Sequence, residues 1–308
     1  MTLFKQVTII GFGLIGSSVA RALRENGVCE NIVACDASPD CLAKVEKLKL
    51  ADKCVSDAAK AVNGSELVIL ATPVGTYGDI GKAIAASLEF GAIVTDVGSV
   101  KGCVLKALKA VLPEHVHLIP GHPVAGTEQS GPEAGFASLF AGRWAILTPP
   151  QDADPTAVEK LKRMWEAFGS KVEIMTPEHH DLVLAITSHI PHLIAYNIVG
   201  TAHDLEGVTD SEVIKFSAGG FRDFTRIAAS DPTMWRDVFL NNKEAVLEML
   251  GRFSEDLTAL QRAIRWGDGD TLFDLFSHTR QVRKQIIEAG QDEEAPDFGR
   301  PHDSPSKN

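Results

Sequence analysis

The 308-residue sequence predicts an α/β first part built on a parallel sheet and an all-α second part. Three observations carry this. The β-branched run Val7-Thr8-Ile9-Ile10 leads into glycines at Gly11, Gly13 and Gly16, followed by the helix-forming Val19-Ala20-Arg21-Ala22-Leu23. Short apolar runs then alternate with helical stretches as far as Met175, the pattern of β-α units with right-handed crossovers. From Glu178 to Ala289 no strand pattern remains, only long apolar periodicities of the kind an amphipathic helix shows.

The first strand is predicted to end at Gly11, turn tightly, and start a helix near Gly13. Free N–H groups and the positive helix end would then meet a pyrophosphate. Asn31-Ile32-Val33-Ala34-Cys35-Asp36 reads as the second strand, and Asp36 lies 20 residues beyond Gly16, where a ribose hydroxyl needs an acceptor. No Arg or Lys adjoins Asp36, so the acid repels a 2′-phosphate and favours NAD over NADP. A turn or cap aspartate is the alternative. Ser38-Pro39 opens a helix through Leu48. Further strands are predicted at Glu66–Ala71, Ala92–Asp96, Val116–Pro120, Trp144–Thr148 and Lys171–Met175. Helices are predicted at Tyr77–Leu88, Val100–Leu112, Ala157–Phe168, Leu240–Ile264 and Thr271–Ala289, with His122 in a long loop. The domains are expected at 1–176, 177–290 and a disordered acidic tail at 291–308.

A net charge of −11 argues against general nucleic-acid or anionic-membrane binding, both of which demand a basic surface. It leaves room for a small anionic substrate, which needs only local cations. Cys29, Cys35, Cys41, Cys54 and Cys103 form an odd, scattered set without zinc spacing, expected as reduced thiols. The glycines and Arg21 and Arg24 fit a folded strand–turn–helix better than a signal peptide. No window is expected to reach the roughly 18 apolar residues of a membrane span, so a cytoplasmic protein is expected.

Ligands of such sheets sit outside the carboxyl ends of the strands. Thr72-Pro73-Val74 is there either a turn under the cofactor or a plain strand end. Ser99 and Lys101 stand at a helix start, where Ser99 is a functional group or a capping serine. In Gly121-His122-Pro123 the histidine is held between glycine and proline. Hydride removal from an alcohol carbon requires the hydroxyl proton to leave too, a task that suits neutral imidazole; an ordinary loop histidine is the alternative. Ser188-His189-Ile190-Pro191-His192 places two histidines at helical spacing. No acid completes a metal site, so a proline-kinked helix at a cleft wall is the expected role, and no metal is expected. Arg222 and Arg226, after Gly219-Gly220, either clamp a carboxylate or join Asp223, Asp231 and Asp237 in a solvated network.

Together the segments G-F-G-L-I-G-S-S (from Gly11), D-V-G-S-V-K (from Asp96), G-H-P-V-A-G-T-E (from Gly121), S-H-I-P-H (from Ser188) and G-G-F-R-D-F-T-R-I-A-x-S-D-P-x-M-W (from Gly219) resemble the TyrA family of prephenate and arogenate (cyclohexadienyl) dehydrogenases. The resemblance implies a Rossmann-like NAD-binding domain, a helical domain that forms a homodimer, and oxidative decarboxylation of prephenate or arogenate in tyrosine biosynthesis. It implies that His122 takes the ring hydroxyl proton and that Ser99 supports this contact beside the nicotinamide. Arg226 would bind a substrate carboxylate, and Thr127, His192 and Trp235 would line the pocket. Cofactor contacts are expected at Gly11, Gly13, Leu14, Ile15, Gly16, Asp36, Thr72, Pro73 and Ser99. Glu128 and Asp223 are candidates for sensing a substrate amino group. Rival readings are another two-domain NAD(P)-dependent hydroxy-acid or imine dehydrogenase, and a non-enzymatic dinucleotide-sensing dimer.

Overall fold

The computed structural model describes residues 2–127, 129–205 and 215–288. Six parallel strands form the first sheet: β1 (Phe4–Ile10), β2 (Cys29–Cys35), β3 (Lys53–Val55), β4 (Leu67–Leu70), β5 (Ile93–Asp96) and β6 (His117–Leu118), in the order β3-β2-β1-β4-β5-β6. Alternate residues feed the two faces. Val7, Ile9, Ile32, Leu67 and Ile69 join a core with Val19, Ala20 and Leu23 of α1 (Leu14–Glu25) and with Leu161 and Trp165. Ile10, Val33, Val68, Leu70 and Val94 pack on the other side. Their partners there come from α4 (Tyr77–Ile84; Tyr77, Ile84) and α5 (Gly102–Lys109; Val104, Leu108), with α2 (Pro39–Lys47) and α3 (Ala58–Ala61) preceding them in the chain. Burial on both faces explains why these strands read as unbroken apolar runs.

The sequence missed β3 and α3, whose three- and four-residue lengths carry too little periodicity to be seen. It also missed a second sheet. His122 lies not in a long loop but in a short strand, β7 (Gly121–Pro123). This strand pairs antiparallel with β8 (Trp144–Leu147), which runs parallel to β9 (Lys171–Ile174). The later β-α unit, with α6 (Pro155–Ala167), therefore extends a separate mixed sheet rather than the first one.

From Pro177 on, the described residues are helical. α7 (Pro177–Leu184) passes through a π turn at Ala185–His189 into α8 (Ile190–Asp204). Pro191, with no N–H to donate, stands at the start of α8, and the widened turn before it absorbs the missing hydrogen bond. Then come α9 (Gly219–Thr225), a 3₁₀ turn at Arg226–Ala229, α10 (Pro232–Asn241), α11 (Lys243–Trp266) and α12 (Gly269–Ile286). The single helix expected from Leu240 to Ile264 is broken at Asn242, whose side chain is drawn inward to the Asp181 carbonyl (2.8 Å). By length and composition Pro177–Asp204 is apolar enough to cross a bilayer, contrary to the expectation that no stretch reaches that length. Its polar side chains His180, Asp181 and His189 are nevertheless buried in protein contacts.

A Cβ on Gly16 would lie 2.0 Å from the Gly11 carbonyl oxygen, whereas one on Gly13 would meet nothing within 4 Å. Gly16→Ala should therefore destabilise the fold by about 1–3 kcal/mol, and Gly13→Ala by less than about 1 kcal/mol, as read from urea-unfolding midpoints. Equal midpoints for the two variants would contradict this packing.

Candidate functional site

The register of the first sheet brings four loops to one edge. Ile10 pairs with Cys35 and with Leu70, and Leu70 with Asp96. The glycine turn, Asp36, Thr72-Pro73 and the segment leading to Ser99 therefore emerge side by side. Gly11 has φ +97°, and a Cβ there would lie 2.7 Å from Ala71 backbone and 2.8 Å from the Thr72 methyl, so only glycine lets the two turns touch. Gly13 caps α1 without a side-chain bond, and no acid occupies the first turn. The N–H groups of Leu14 and Ile15 thus begin a helix whose positive end is unneutralised. The open space at Gly13 is what close approach of a pyrophosphate requires, so the residues present fit a dinucleotide. Asp36 accepts hydrogen bonds from Phe12 N–H and Ser38 N–H, both 2.9 Å. Its carboxylate thus braces the glycine turn. Thr72 shares a 2.8 Å hydroxyl contact with Thr76.

Ser99 does not cap α5. That position is Lys101, and the cap comes from the helical part of the chain. Asp181 Oδ1 accepts from Lys101 N–H (2.8 Å) and Oδ2 from Gly102 N–H (2.9 Å). The Lys101 side chain is fully buried, where it pairs with Asp96 and donates to the Gly121 carbonyl (2.7 Å). Asp96 also accepts from Gly98 N–H (2.8 Å) and Gly121 N–H (3.2 Å). Both sides of the peptide before His122 are thereby fixed to the end of β5.

His122 is buried, and its Nδ1 lies 2.9 Å from His180 Nε2; His180 Nδ1 lies 2.8 Å from Asp181 Oδ1. Asn242 Nδ2 approaches both the Asp181 carbonyl and His189 Nδ1 (3.1 Å). His189 lies close to the Ser99 backbone, and its Nε2 is buried without a hydrogen-bond partner among the described residues. His189 meets the Trp235 ring edge-on at 6.0 Å, and His192 stacks on it at 3.7 Å between centroids. The His192 Nδ1 is held on the Ser188 carbonyl at 2.9 Å, and Arg226 is near enough for its charge to oppose protonation of His192. Trp235 Nε1 is buried without a hydrogen-bond partner among the described residues. A connected chain of contacts therefore runs from His122 through His180, Asp181, Asn242, His189 and Trp235 to His192, and the charge of Arg226 acts on its far end.

Other expectations resolve differently. Arg222 pairs with the exposed Asp223 at 3.1 Å, as the network reading expects, while the charge of Arg226 acts on His192. Asp231 instead caps α10 through Met234 N–H (2.8 Å), and Asp237 pairs with Arg236 (2.7 Å). The Thr127 hydroxyl accepts from Gln129 N–H at 3.2 Å, a turn contact that does not join it to the histidine chain. Glu128 and the tail from 291 lie outside the described residues. His180, Asp181 and Asn242 were missed, their only sequence signal being a His-Asp pair near the start of a helix; Asp96 was read as a strand end and motif residue, without its buried partners.

Burial lowers the pKa of His122 well below the ordinary histidine value, with the nearby His180, Lys101 and His189 acting the same way. Burial lowers His180 as well, against the opposing pull of Asp181, and takes His189 from 6.5 to about 4. Below about pH 6.5 an unfolded chain would bind protons that the native state refuses, so stability should fall as pH drops from there toward 4. The melting temperature should be lower at pH 5 than at pH 7, and His189→Gln should flatten part of that fall. An unchanged slope in the variant would show that His189 protonates freely in the fold.

Comparison with known proteins agrees with this geometry. Residues 19–174 match the model of the prephenate dehydrogenase nucleotide-binding domain, and residues 176–278 that of the prephenate dehydrogenase dimerization domain. Cyclohexadienyl dehydrogenase of Zymomonas mobilis is 41% identical over 283 residues, covering 92% of this chain and 96% of that protein. Prephenate dehydrogenase of Bacillus subtilis is 34% identical, over 90% of this chain and 75% of its own length. The crystal structure of prephenate dehydrogenase from Aquifex aeolicus in complex with hydroxyphenyl propionate and NAD+ superposes with a TM-score of 0.86 at 36% identity, covering 92% of this chain and 98% of that one. The chain belongs to the prephenate dehydrogenase family of NAD-dependent oxidoreductases, with a Rossmann-like first domain and a helical second domain.

Proposed function

We propose that His122 is the general base of this family's reaction, the oxidative decarboxylation of prephenate or arogenate, and that the chain of contacts from His122 to His192, together with Arg226, lines the substrate pocket. That chain is the observation that carries the reading, because it begins at the buried His122 and ends at His192, where the charge of Arg226 is felt. Bound NAD supplies the hydride acceptor, and the protein's own residues orient, polarise and hold charge. The ring C–H bond next to the hydroxyl breaks with its electron pair while the bond to the ring carboxylate breaks to release carbon dioxide, and the ring becomes aromatic. His122 draws on the hydroxyl proton as hydride departs and returns it to what becomes a phenol, so no net proton is released. Ser99 would stand beside the nicotinamide and support the hydroxyl contact. Arg226 holds a substrate carboxylate, with His192 and Trp235 as the ring-facing wall and Thr127 at its margin. Gly11, Gly13, Leu14, Ile15 and Gly16 hold the pyrophosphate, Asp36 the ribose, and Thr72 and Pro73 the underside of the cofactor.

The division between the two parts is placed at 176/177, where β9 has ended and α7 begins. The helical part pairs with a second copy of the chain. Leu247, Leu257, Ile264, Trp266, Phe273 and Phe276 are all more than half exposed along α11 and α12, and a contiguous apolar face of this kind marks an interface. The enzyme is cytoplasmic and acts on a small molecule, a reading supported by its biosynthetic relatives and by a net charge of −11 that disfavours nucleic acid and anionic membrane.

His122→Asn should lower kcat by about 10²–10⁴-fold with NAD affinity little changed; turnover near wild type would remove His122 as the base. Arg226→Ala should raise the apparent KM for prephenate by roughly tenfold or more, as loss of a charged hydrogen bond does. An unchanged KM would take Arg226 out of the pocket. Running both assays with prephenate and with arogenate also reads the substrate preference directly.

A further inference from the structure

We infer that His180 and Asp181 are positioning residues that set the tautomer of His122. The proposal rests on the reading of His122 as the base. A carboxylate only accepts hydrogen bonds. The 2.8 Å contact between Asp181 Oδ1 and His180 Nδ1 therefore puts a proton on that nitrogen. His180 is neutral, so its Nε2 carries a lone pair. The 2.9 Å contact between that atom and His122 Nδ1 can form only if His122 Nδ1 bears the proton. His122 Nε2 is thereby left with the free lone pair, the one state in which it can accept a proton from a substrate hydroxyl.

Three features make the assignment firm. His180 is completely buried and Asp181 and His122 nearly so, so water does not compete for these bonds. Asp181 cannot rotate away, because its two oxygens also accept from Lys101 and Gly102 N–H and its carbonyl is held by Asn242. The backbone that carries His122 is fixed as well, because Lys101 and Asp96 hold the adjoining Gly121. The charged and titratable neighbours of the pair are Lys101 and His189 about His122, and Asp181, Lys101 and Asp96 about His180. The arrangement follows the logic of a buried acid holding a catalytic imidazole in its working tautomer, with a second imidazole inserted between them.

The test uses His180, which makes no helix cap, so that loss of the α5 cap does not confuse the result. His180→Gln keeps a carbonyl that can accept from His122 Nδ1, whereas His180→Leu keeps the volume and removes the acceptor. His180→Leu should lose at least about 10²-fold in kcat, while the prephenate KM and the NAD dissociation constant stay within about threefold. His180→Gln should recover at least tenfold of that loss. In a His122→Asn background, His180→Leu should cost little more, because a tautomer setter has nothing left to set. Wild-type kcat in His180→Leu, or equal losses in the Leu and Gln variants, would overturn the proposal. Failure of the base assignment is distinguishable, since it would show as wild-type turnover in His122→Asn alone.

Discussion

The carboxylate of Asp181 joins the two halves of the molecule. It stands in the first helix of the helical part, yet its oxygens close the N-terminus of α5 in the nucleotide-binding part and hold His180 against His122. A helix N-terminus carries partial positive charge and unpaired N–H groups, so an acid there neutralises both at once. Hydrogen bonds to a buried carboxylate are charge-assisted and about twice as strong as neutral ones. The loop that carries Ser99 is therefore fixed from the helical part as well as by its own Asp96. This is why the serine that resembles a local cap does not serve as one.

The sheet edge and the helical wall then divide the work by their construction. Parallel strands that end in register can offer turns side by side, and glycine at positions 11, 13 and 16 lets backbone come close where a side chain would block it. Such an edge suits a cofactor that is recognised mainly through phosphate and ribose. Selecting a carboxylated ring needs aromatic surface and a cation, the roles proposed for Trp235, His192 and Arg226 in the helical part. The buried Lys101–Asp96 pair sits between the two. Its value lies in geometry more than in stability, since taking two charges out of water costs about as much as their attraction returns. What it secures is the position of the Gly121 peptide, and through it His122.

Much of this was legible in the sequence for definite reasons. The glycine turn is local, so its spacing between a strand and a helix shows its purpose. The helical second part announces itself through long periodic patterns such as Val246 to Ile264. His122 stood out because glycine and proline hold it, although its strand was hidden; three residues pairing with a segment more than 20 residues away leave no period to read. The same limit hid β3 and the break at Asn242, whose cause is a hydrogen bond to residue 181. His180 and Asp181 were illegible for a related reason. Adjacent in sequence, they look like ordinary polar residues near the start of a helix, and only the packing of α7 against α5 and β7 gives each its partner.

The burial of these histidines fits the chemistry, although burial lowers the pKa of each. An imidazole that resists protonation is a weak base toward water, and at working pH it is therefore free to accept. As hydride leaves the carbinol carbon, the attached hydroxyl becomes a far stronger acid than any imidazolium, so a weak base suffices at that moment. Once carbon dioxide departs and the ring is aromatic, the same oxygen becomes a phenol that reclaims the proton. A base that only lends its site in this way has no need of a path to solvent. It needs a fixed direction, a lone pair on the correct nitrogen, and a stationary negative charge behind it. A chain of two buried imidazoles ending in a clamped carboxylate supplies those three things, and the exclusion of water keeps them from being exchanged away.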